Sequence, residues 1–267
     1  MGRHNTLITG ASSGIGATYA DRLARRGHDL VLVARDRSRM EELAARLRRE
    51  CGVAVEVLVA DLAVSSELAR VERRLREDPT VTMLVNNAGI GGSGAFATAD
   101  PELIEAIIRV NVLAVSRLAA AATPGFVARR SGTIVNVASI AALLPELFET
   151  VYLATKAYVL ALSQAMQREL APQGVRVQVV LPGNTRTEIW TRSGVDLQSI
   201  PPETVMEVGE LVDAALAGLD LGELVTIPSL PDIGDWDAFT QARLRLAPLL
   251  SRRHPAGRYA VTPGAAA

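Results

Sequence analysis

Short runs of valine, isoleucine and leucine recur along the chain and alternate with longer stretches whose apolar positions fall three or four residues apart. The runs are Thr6–Thr9, Leu30–Ala34, Val53–Val59, Met83–Asn86, Thr133–Val137, Val175–Leu181 and Leu224–Ile227. A strand with one face in water alternates apolar with polar residues. An unbroken apolar run instead predicts a strand covered on both faces, as in a parallel sheet. The stretches between are helical in pattern; in Ser66–Arg76, for example, Leu68, Val71 and Leu75 fall on one stripe. Such alternation predicts an α/β fold, a doubly wound, mostly parallel sheet with helices on both faces.

With no internal repeat and no interdomain linker, residues 1–267 read as one domain. Regularity fails at Glu188–Met206, expected to form a substrate lid, and at Pro228–Ala267, a C-terminal extension; both are rich in Pro, Gly and turn residues. Within the extension, Asp235 through Leu250 reads as a helix. Its Trp236, Phe239, Leu244, Leu246, Leu249 and Leu250 predict an apolar face that covers a pocket mouth or a neighbouring subunit.

Composition narrows the classes of partner. The net charge is −1, and the arginine runs alternate with glutamate and apolar residues. They read as solvated helix faces, so no nucleic acid and no membrane surface is expected as a partner. Cys51 is the single cysteine, and His4, His28 and His254 have no metal-ligand spacing, so no metal site is expected. Polar Gly2 to Asn5 lead straight into the first strand, and Ser131–Pro145 is too short to span a bilayer. The expectation is a cytoplasmic protein.

Two features carry chemistry. The first apolar run opens into Gly10-Ala11-Ser12-Ser13-Gly14-Ile15-Gly16 and then a helix. Glycines in that place let the backbone turn tightly and approach a pyrophosphate, whose charge the helix N-terminus favours. The same residues match G-x-S-x-G with Ser12 as a nucleophile, but that reading needs a late histidine, and only His254 in a Pro-flanked tail is present. The second feature is compositional. Of 28 lysines and arginines only Lys156 is lysine, and it follows Tyr152 by four residues. On a helix that spacing puts both side chains on one face. Lysine is compact and can lose its proton, whereas arginine is planar and permanently charged.

Together, Thr9-Gly10-x-x-x-Gly14-x-Gly16, Asn86-Asn87-Ala88-Gly89, Ser139, Tyr152-x-x-x-Lys156 and Pro182-Gly183 with Thr187 resemble the short, single-domain branch of the short-chain dehydrogenase/reductase family. The resemblance spans roughly residues 5–227 and implies a Rossmann-type domain of seven strands. It further implies an oxidoreductase interconverting a carbonyl and a secondary alcohol by hydride transfer. In that scheme Tyr152 is the general acid or base, Ser139 a hydrogen-bond donor to the reacting oxygen, and Lys156 a holder of the nicotinamide ribose. A free phenol titrates near pH 10, and an adjacent ammonium that lowers it by about three units supplies roughly 4 kcal/mol. Asn111 is implied to position a water behind the lysine.

On the cofactor side the resemblance implies Gly10, Ser12, Ser13, Gly14, Ile15 and Gly16 around the phosphates, and Asp61 and Leu62 at the adenine. Asn87, Ala88, Gly89, Pro182, Gly183, Thr185 and Thr187 complete that set. A carboxylate at the tip of the second strand binds the ribose 2′-hydroxyl of NAD. Here Ala34 holds that place and Arg35 follows, which suits the 2′-phosphate of NADP; Asp36, one residue on, keeps NAD in view. Ile140, Ala141, Leu144, Ile189 and Trp190 are expected to line a pocket for a small-molecule ketone or alcohol, and a homodimer or homotetramer is expected. The alternative reading is a catalytically idle nucleotide sensor or scaffold, against which intact Ser139, Tyr152 and Lys156 argue.

Overall fold

All seven apolar runs become strands: β1 (Asn5–Thr9), β2 (Asp29–Ala34), β3 (Val55–Val59), β4 (Val81–Asn86), β5 (Gly132–Val137), β6 (Val175–Val180) and β7 (Val225–Thr226). A computed structural model of the chain describes residues 4–92, 94–188 and 200–259. The strands form one sheet in the order β3-β2-β1-β4-β5-β6-β7, and every neighbouring pair is parallel.

Burial on both faces explains the unbroken runs. Consecutive side chains of a strand point to opposite faces, and in β1 both Leu7 and Ile8 are fully buried. Ile8 packs with Leu32, Val85 and Val180 under α1 (Gly14–Arg25) and α2 (Arg37–Cys51), which contribute Tyr19, Leu23, Met40 and Leu47. Leu7 packs with Val33, Leu84 and Ile134 under α3 (Ser65–Glu77), which contributes Leu68 and Val71. Further along come α4 (Pro101–Ile108), a π-helical stretch Arg109–Ala114 that runs into α5 (Val115–Arg129), α6 (Thr150–Leu170) and α7 (Val208–Leu221). Among these, α5 covers the Leu7 face with Leu118 and Phe126, and α7 covers the Ile8 face with Leu211 and Leu216.

Strand order reverses between β1 and β4. The chain builds outward from β1 to β3, then crosses back and builds the other way to β7. The loops after β1 and β4 therefore part in opposite directions and leave a crevice at the carboxyl ends of the strands, where ligands bind in open α/β sheets. A buried polar ladder crosses the sheet beneath it. Asn86 Nδ2 donates to Asn136 Oδ1 at 2.9 Å, Asn136 Nδ2 to Ser163 Oγ at 2.9 Å, and Ser163 Oγ to the Val159 carbonyl at 2.7 Å. It ties β4 and β5 to α6.

The chain divides into two compact units, Met1–Pro228 and Ser229–Ala267. In the second unit the expected helix through Leu250 is shorter. It runs Ile233–Leu244 as α8 and gives way to a 3-10 turn, Ala247–Leu249. Pro248 has no N–H to give the Leu244 carbonyl and disfavours helical backbone at Ala247, which ends the run. Trp236 packs on Phe239 with ring centroids 5.5 Å apart, yet α8 buries none of its described residues.

The Asn86–Asn136–Ser163 ladder leads to a test of stability. Asn136→Ala removes two buried hydrogen bonds, leaving Asn86 Nδ2 only its 3.5 Å contact with the Val115 carbonyl and Ser163 Oγ only its bond to the Val159 carbonyl, and each lost bond is worth about 0.5–1.5 kcal/mol. Urea unfolding followed by circular dichroism is expected to show a midpoint lowered accordingly, whereas an unchanged midpoint rules out the ladder as a structural tie.

Candidate functional site

The crevice is lined first by the glycine loop after β1. Gly10 and Gly14 have φ of +66° and +52°, a backbone region that side chains rarely enter. A Cβ on Gly10 would lie 2.9 Å from Ala88 Cα, and one on Gly16 would lie 2.3 Å from the Gly10 carbonyl oxygen. The loop is sewn to the end of β4. Asn87 Nδ2 donates to the Thr9 and Gly10 carbonyls at 3.0 and 3.3 Å, and the Asn87 and Ala88 N–H groups both donate to Thr9 Oγ1 at 3.0 Å. Thr9 was outside the expected set of site residues, yet its hydroxyl is the hub of this junction. Across the crevice Thr187 lies over the loop, its Cγ2 3.3 Å from where a Gly14 Cβ would be. These bare glycines form a cradle of exposed backbone at the start of α1, where a pyrophosphate binds, so the residues fit a dinucleotide.

The other expected cofactor residues divide between the surface of the crevice and the core. Ile15 packs against the core, and Leu62 is buried in it, which leaves Leu62 only its backbone to offer a ligand. Pro182 and Thr185 are also buried, and Thr185 Oγ1 donates to the Gly183 carbonyl at 2.9 Å. Asp61 accepts the Ala63 N–H at 2.9 Å and faces the exposed Arg35 guanidinium at 3.8 Å. Asp36 Oδ1 accepts the Arg39 N–H at 3.1 Å, so this carboxylate caps α2. Arg39, which sequence reasoning passed over, holds both oxygens of Glu188 at 2.7 Å. Ser12, Arg39, Leu43 and Arg46 line a hollow of about 370 Å³ beside the loop.

Tyr152 and Lys156 share one face of α6 as the spacing predicts. Lys156 is buried, its Nζ 5.6 Å from the Tyr152 ring centroid, and it donates to the Val137 carbonyl at 3.0 Å. Ser139 begins the 3-10 turn Ile140–Leu143, accepts the Ala141 N–H at 3.1 Å, and is hydrogen-bonded to the Tyr152 phenol. Asn111 falls in the π-helical stretch, a feature frequent at functional sites. Its Oδ1 accepts the Ile90 N–H at 2.9 Å, and its Nδ2 donates to the Ile90 carbonyl at 2.8 Å and to Thr155 Oγ1 at 3.0 Å. Both amide hydrogens are thus used, and a water there is left with Oδ1 and the main chain. Gly89 lets Lys156 and Asn111 converge, since a Cβ on it would lie 3.3 Å from Nζ and 3.4 Å from Oδ1.

The electrostatics correct one expectation. The ammonium does not pull the phenol down. Removal from water pushes Tyr152 above the ordinary phenol value, the Ser139 hydrogen bond opposes that, and the Glu149 carboxylate adds to it. Lys156 is itself pushed down to about 8 by burial, and its Nζ is directed at the Val137 carbonyl. The expected pocket also changes. Ala141 is fully buried and belongs to the core, while Ile140 and Leu144 reach the surface. Ile189 and Trp190, with most of the expected lid, lie outside the described residues. Among the described residues no group of His, Cys, Asp and Glu is arranged to hold a metal ion, and no helix is long and apolar enough to cross a membrane.

Comparison with known proteins gives the same picture of the site's kind. Residues 4–197 match the short chain dehydrogenase family. A short-chain dehydrogenase from Sphingobium yanoikuyae, solved in complex with NADPH, is 55% identical with a TM-score of 0.93, covering 96% of this chain and 100% of that one. The bulky-bulky ketone specific alcohol dehydrogenase from Comamonas testosteroni is 49% identical with a TM-score of 0.90, covering 97% of this chain and 99% of that one. A very-long-chain 3-oxoacyl-CoA reductase from Anas platyrhynchos is 32% identical over 202 residues, 74% of this chain but 65% of that protein.

Burial of the lysine has a measurable cost in stability. In the unfolded chain Lys156 keeps its proton up to about its ordinary 10.5, whereas the folded chain releases it near 8. Below pH 8 the folded state therefore bears the full cost of a buried charge, and that cost fades as pH rises to 10.5. Lys156→Met is expected to be more stable than wild type at pH 7 by roughly 2–3 kcal/mol, with the gap closing at alkaline pH. Chemical denaturation at a series of pH values measures it, and a gap independent of pH counts against a desolvated ammonium.

Proposed function

The chain belongs to the short-chain dehydrogenase family and is an oxidoreductase of that family, and from that premise we propose that it reduces a small-molecule ketone with NADPH, using Tyr152 as the proton donor. The observation that carries the reading is the convergence of Ser139, Tyr152 and Lys156 beside a glycine cradle open at the sheet's switch point. NADPH, when bound, supplies the hydride. Everything else falls to this chain's residues.

The raised phenol bears on direction. At neutral pH Tyr152 is protonated, the form needed to give a proton to a carbonyl oxygen as it gains charge. Ser139 is placed beside the phenol to share a hydrogen bond with the same oxygen, stabilising that charge as it develops. Lys156, with its proton held to about pH 8, is able to pass a proton on toward the phenol and take another. Oxidation of an alcohol requires the phenolate and is therefore favoured at alkaline pH. For the substrate, the similarity to an alcohol dehydrogenase named for ketones bulky on both sides supports a ketone of that kind. Open Ile140 and Leu144 supply apolar surface for it.

NADPH over NADH rests on Arg35. Its guanidinium is exposed just after β2, and Asp36, the nearby carboxylate that would favour NADH, is engaged as a helix cap.

Two outcomes test the proposal. Arg35→Ala is expected to weaken NADPH binding by about 1.5–3 kcal/mol, the scale of a charge-assisted hydrogen bond, and to leave NADH binding almost unchanged. Fluorescence titration with each cofactor measures this, and equal losses refute the assignment. In ketone reduction, Lys156→Arg is expected to lower turnover at least about a hundredfold and Tyr152→Phe at least as far, with the double variant little worse. Near wild-type turnover in the folded Lys156→Arg protein would remove the lysine from the mechanism.

A further inference from the structure

Glu149 stands three residues before Tyr152, at the start of the helix that carries it. Its carbonyl accepts the Leu153 N–H at 3.0 Å as the first turn of α6. Its side chain reaches across to the segment after β4, where Oε2 accepts the Gly92 N–H at 3.1 Å and Oε1 the Gly94 N–H at 3.2 Å. Gly92 and Gly94 have φ of +92° and +66°, left-handed backbone that glycine alone enters freely. Both N–H groups are thus directed at the one carboxylate. The neighbouring Gly91 lies against the phenol ring, since a Cβ there would sit 3.1 Å from Tyr152 Cδ2.

We infer that Glu149 is a positioning residue: its carboxylate fastens the glycine segment onto the tyrosine ring, fixing the aim of the phenol and keeping the wall beside it bare of side chains, so that bulk on both sides of a ketone is accommodated. The inference rests on the ketone reductase reading above. The geometry makes the two functions inseparable. A larger residue at Gly91 would press on the ring, and a residue with a side chain at Gly92 or Gly94 would be strained at its positive φ.

The same carboxylate acts on the phenol through its charge. Tyr152 is faced by Lys156 one turn along α6, by Ser139 from the segment after β5, and by Glu149; Gly91, Gly92 and Gly94 bring no ionisable side chain. Of these, Glu149 is the negative charge, and it adds to the burial that holds the proton on the phenol. Glu149→Gln removes the charge and one of the two glycine contacts, because an amide has a single acceptor oxygen, whereas Glu149→Ala removes both contacts.

The experiment compares wild type, Glu149→Gln and Glu149→Ala as full-length protein. Ketone reduction is followed with NADPH, using phenyl cyclohexyl ketone as the bulky probe and acetophenone as the smaller one. Glu149→Ala is expected to lose about tenfold or more in kcat on the bulky ketone, the scale of a small misplacement of a reacting group, with NADPH affinity within about twofold of wild type. Two readouts need no substrate. Hydrogen exchange at the Gly92 and Gly94 amides is expected to quicken in Glu149→Ala. Ionisation of Tyr152, seen as tyrosinate absorbance against a Tyr152→Phe background, is expected to move to lower pH in Glu149→Gln. Unchanged exchange together with unchanged ionisation, in proteins with native circular dichroism, overturns the inference. Should Glu149→Ala not fold, the ionisation shift and kcat of Glu149→Gln decide it. A wild type that reduces neither ketone refutes the ketone reading itself, and the two substrate-free readouts then decide the role of Glu149.

Discussion

The junction between β1 and β4 is the constraint on which the site depends. A parallel sheet built outward in both directions from β1 must part its loops there, and parted loops expose backbone groups that have no strand to pair with. Thr9 and Asn87 satisfy them. One hydroxyl accepts two N–H groups and one side-chain amide donates to two carbonyls, so the ends of the two strands are locked at a fixed separation. The glycines follow from that separation. Gly10 and Gly16 are bare because Asn87 and the Gly10 carbonyl already occupy the space where side chains would stand. The cradle is therefore a product of the sheet's topology, and α6 is set against it by the Asn86–Asn136–Ser163 ladder.

Much of this was legible in the sequence. Burial on both faces writes a strand as an unbroken apolar run, so all seven strands and the parallel sheet could be read directly. The Tyr152–Lys156 face follows from helical spacing alone. What escaped was whatever depends on the partner a polar side chain chooses. Asp36 is as well placed in sequence to hold a ribose as to cap a helix, and only the position of the Arg39 N–H selects the cap. Ala141 sits amid surface-reaching residues, yet the 3-10 turn rotates it into the core. Glu149 carries no motif, because its partners are backbone N–H groups more than fifty residues away in a segment whose signature is only glycine.

The lysine and the tyrosine show why proximity of charge does not by itself set a titration. An ammonium near a phenol lowers its pKa only when the ammonium is charged and directed at it. Here burial weakens the first condition, and the Val137 carbonyl opposes the second. Both groups are pushed toward their neutral forms, so the pair is poised to exchange a proton at modest cost rather than to hold a permanent ion pair.

Set against the rest of the chain, that arrangement explains why one lysine stands among so many arginines. Where this protein buries a carboxylate it surrounds it with guanidinium groups. Asp21 is desolvated, yet Arg25, Arg46 and Arg22 hold it at about 2. Glu72 is held between Arg76 and Arg117. Arginine suits such places because it stays charged and its fork satisfies several acceptors. No described arginine is itself buried, whereas Lys156 is buried with no carboxylate beside it among the described residues. A guanidinium there would keep its full charge and its full desolvation penalty. The position demands a cation that can become neutral, and lysine is the side chain that meets that demand.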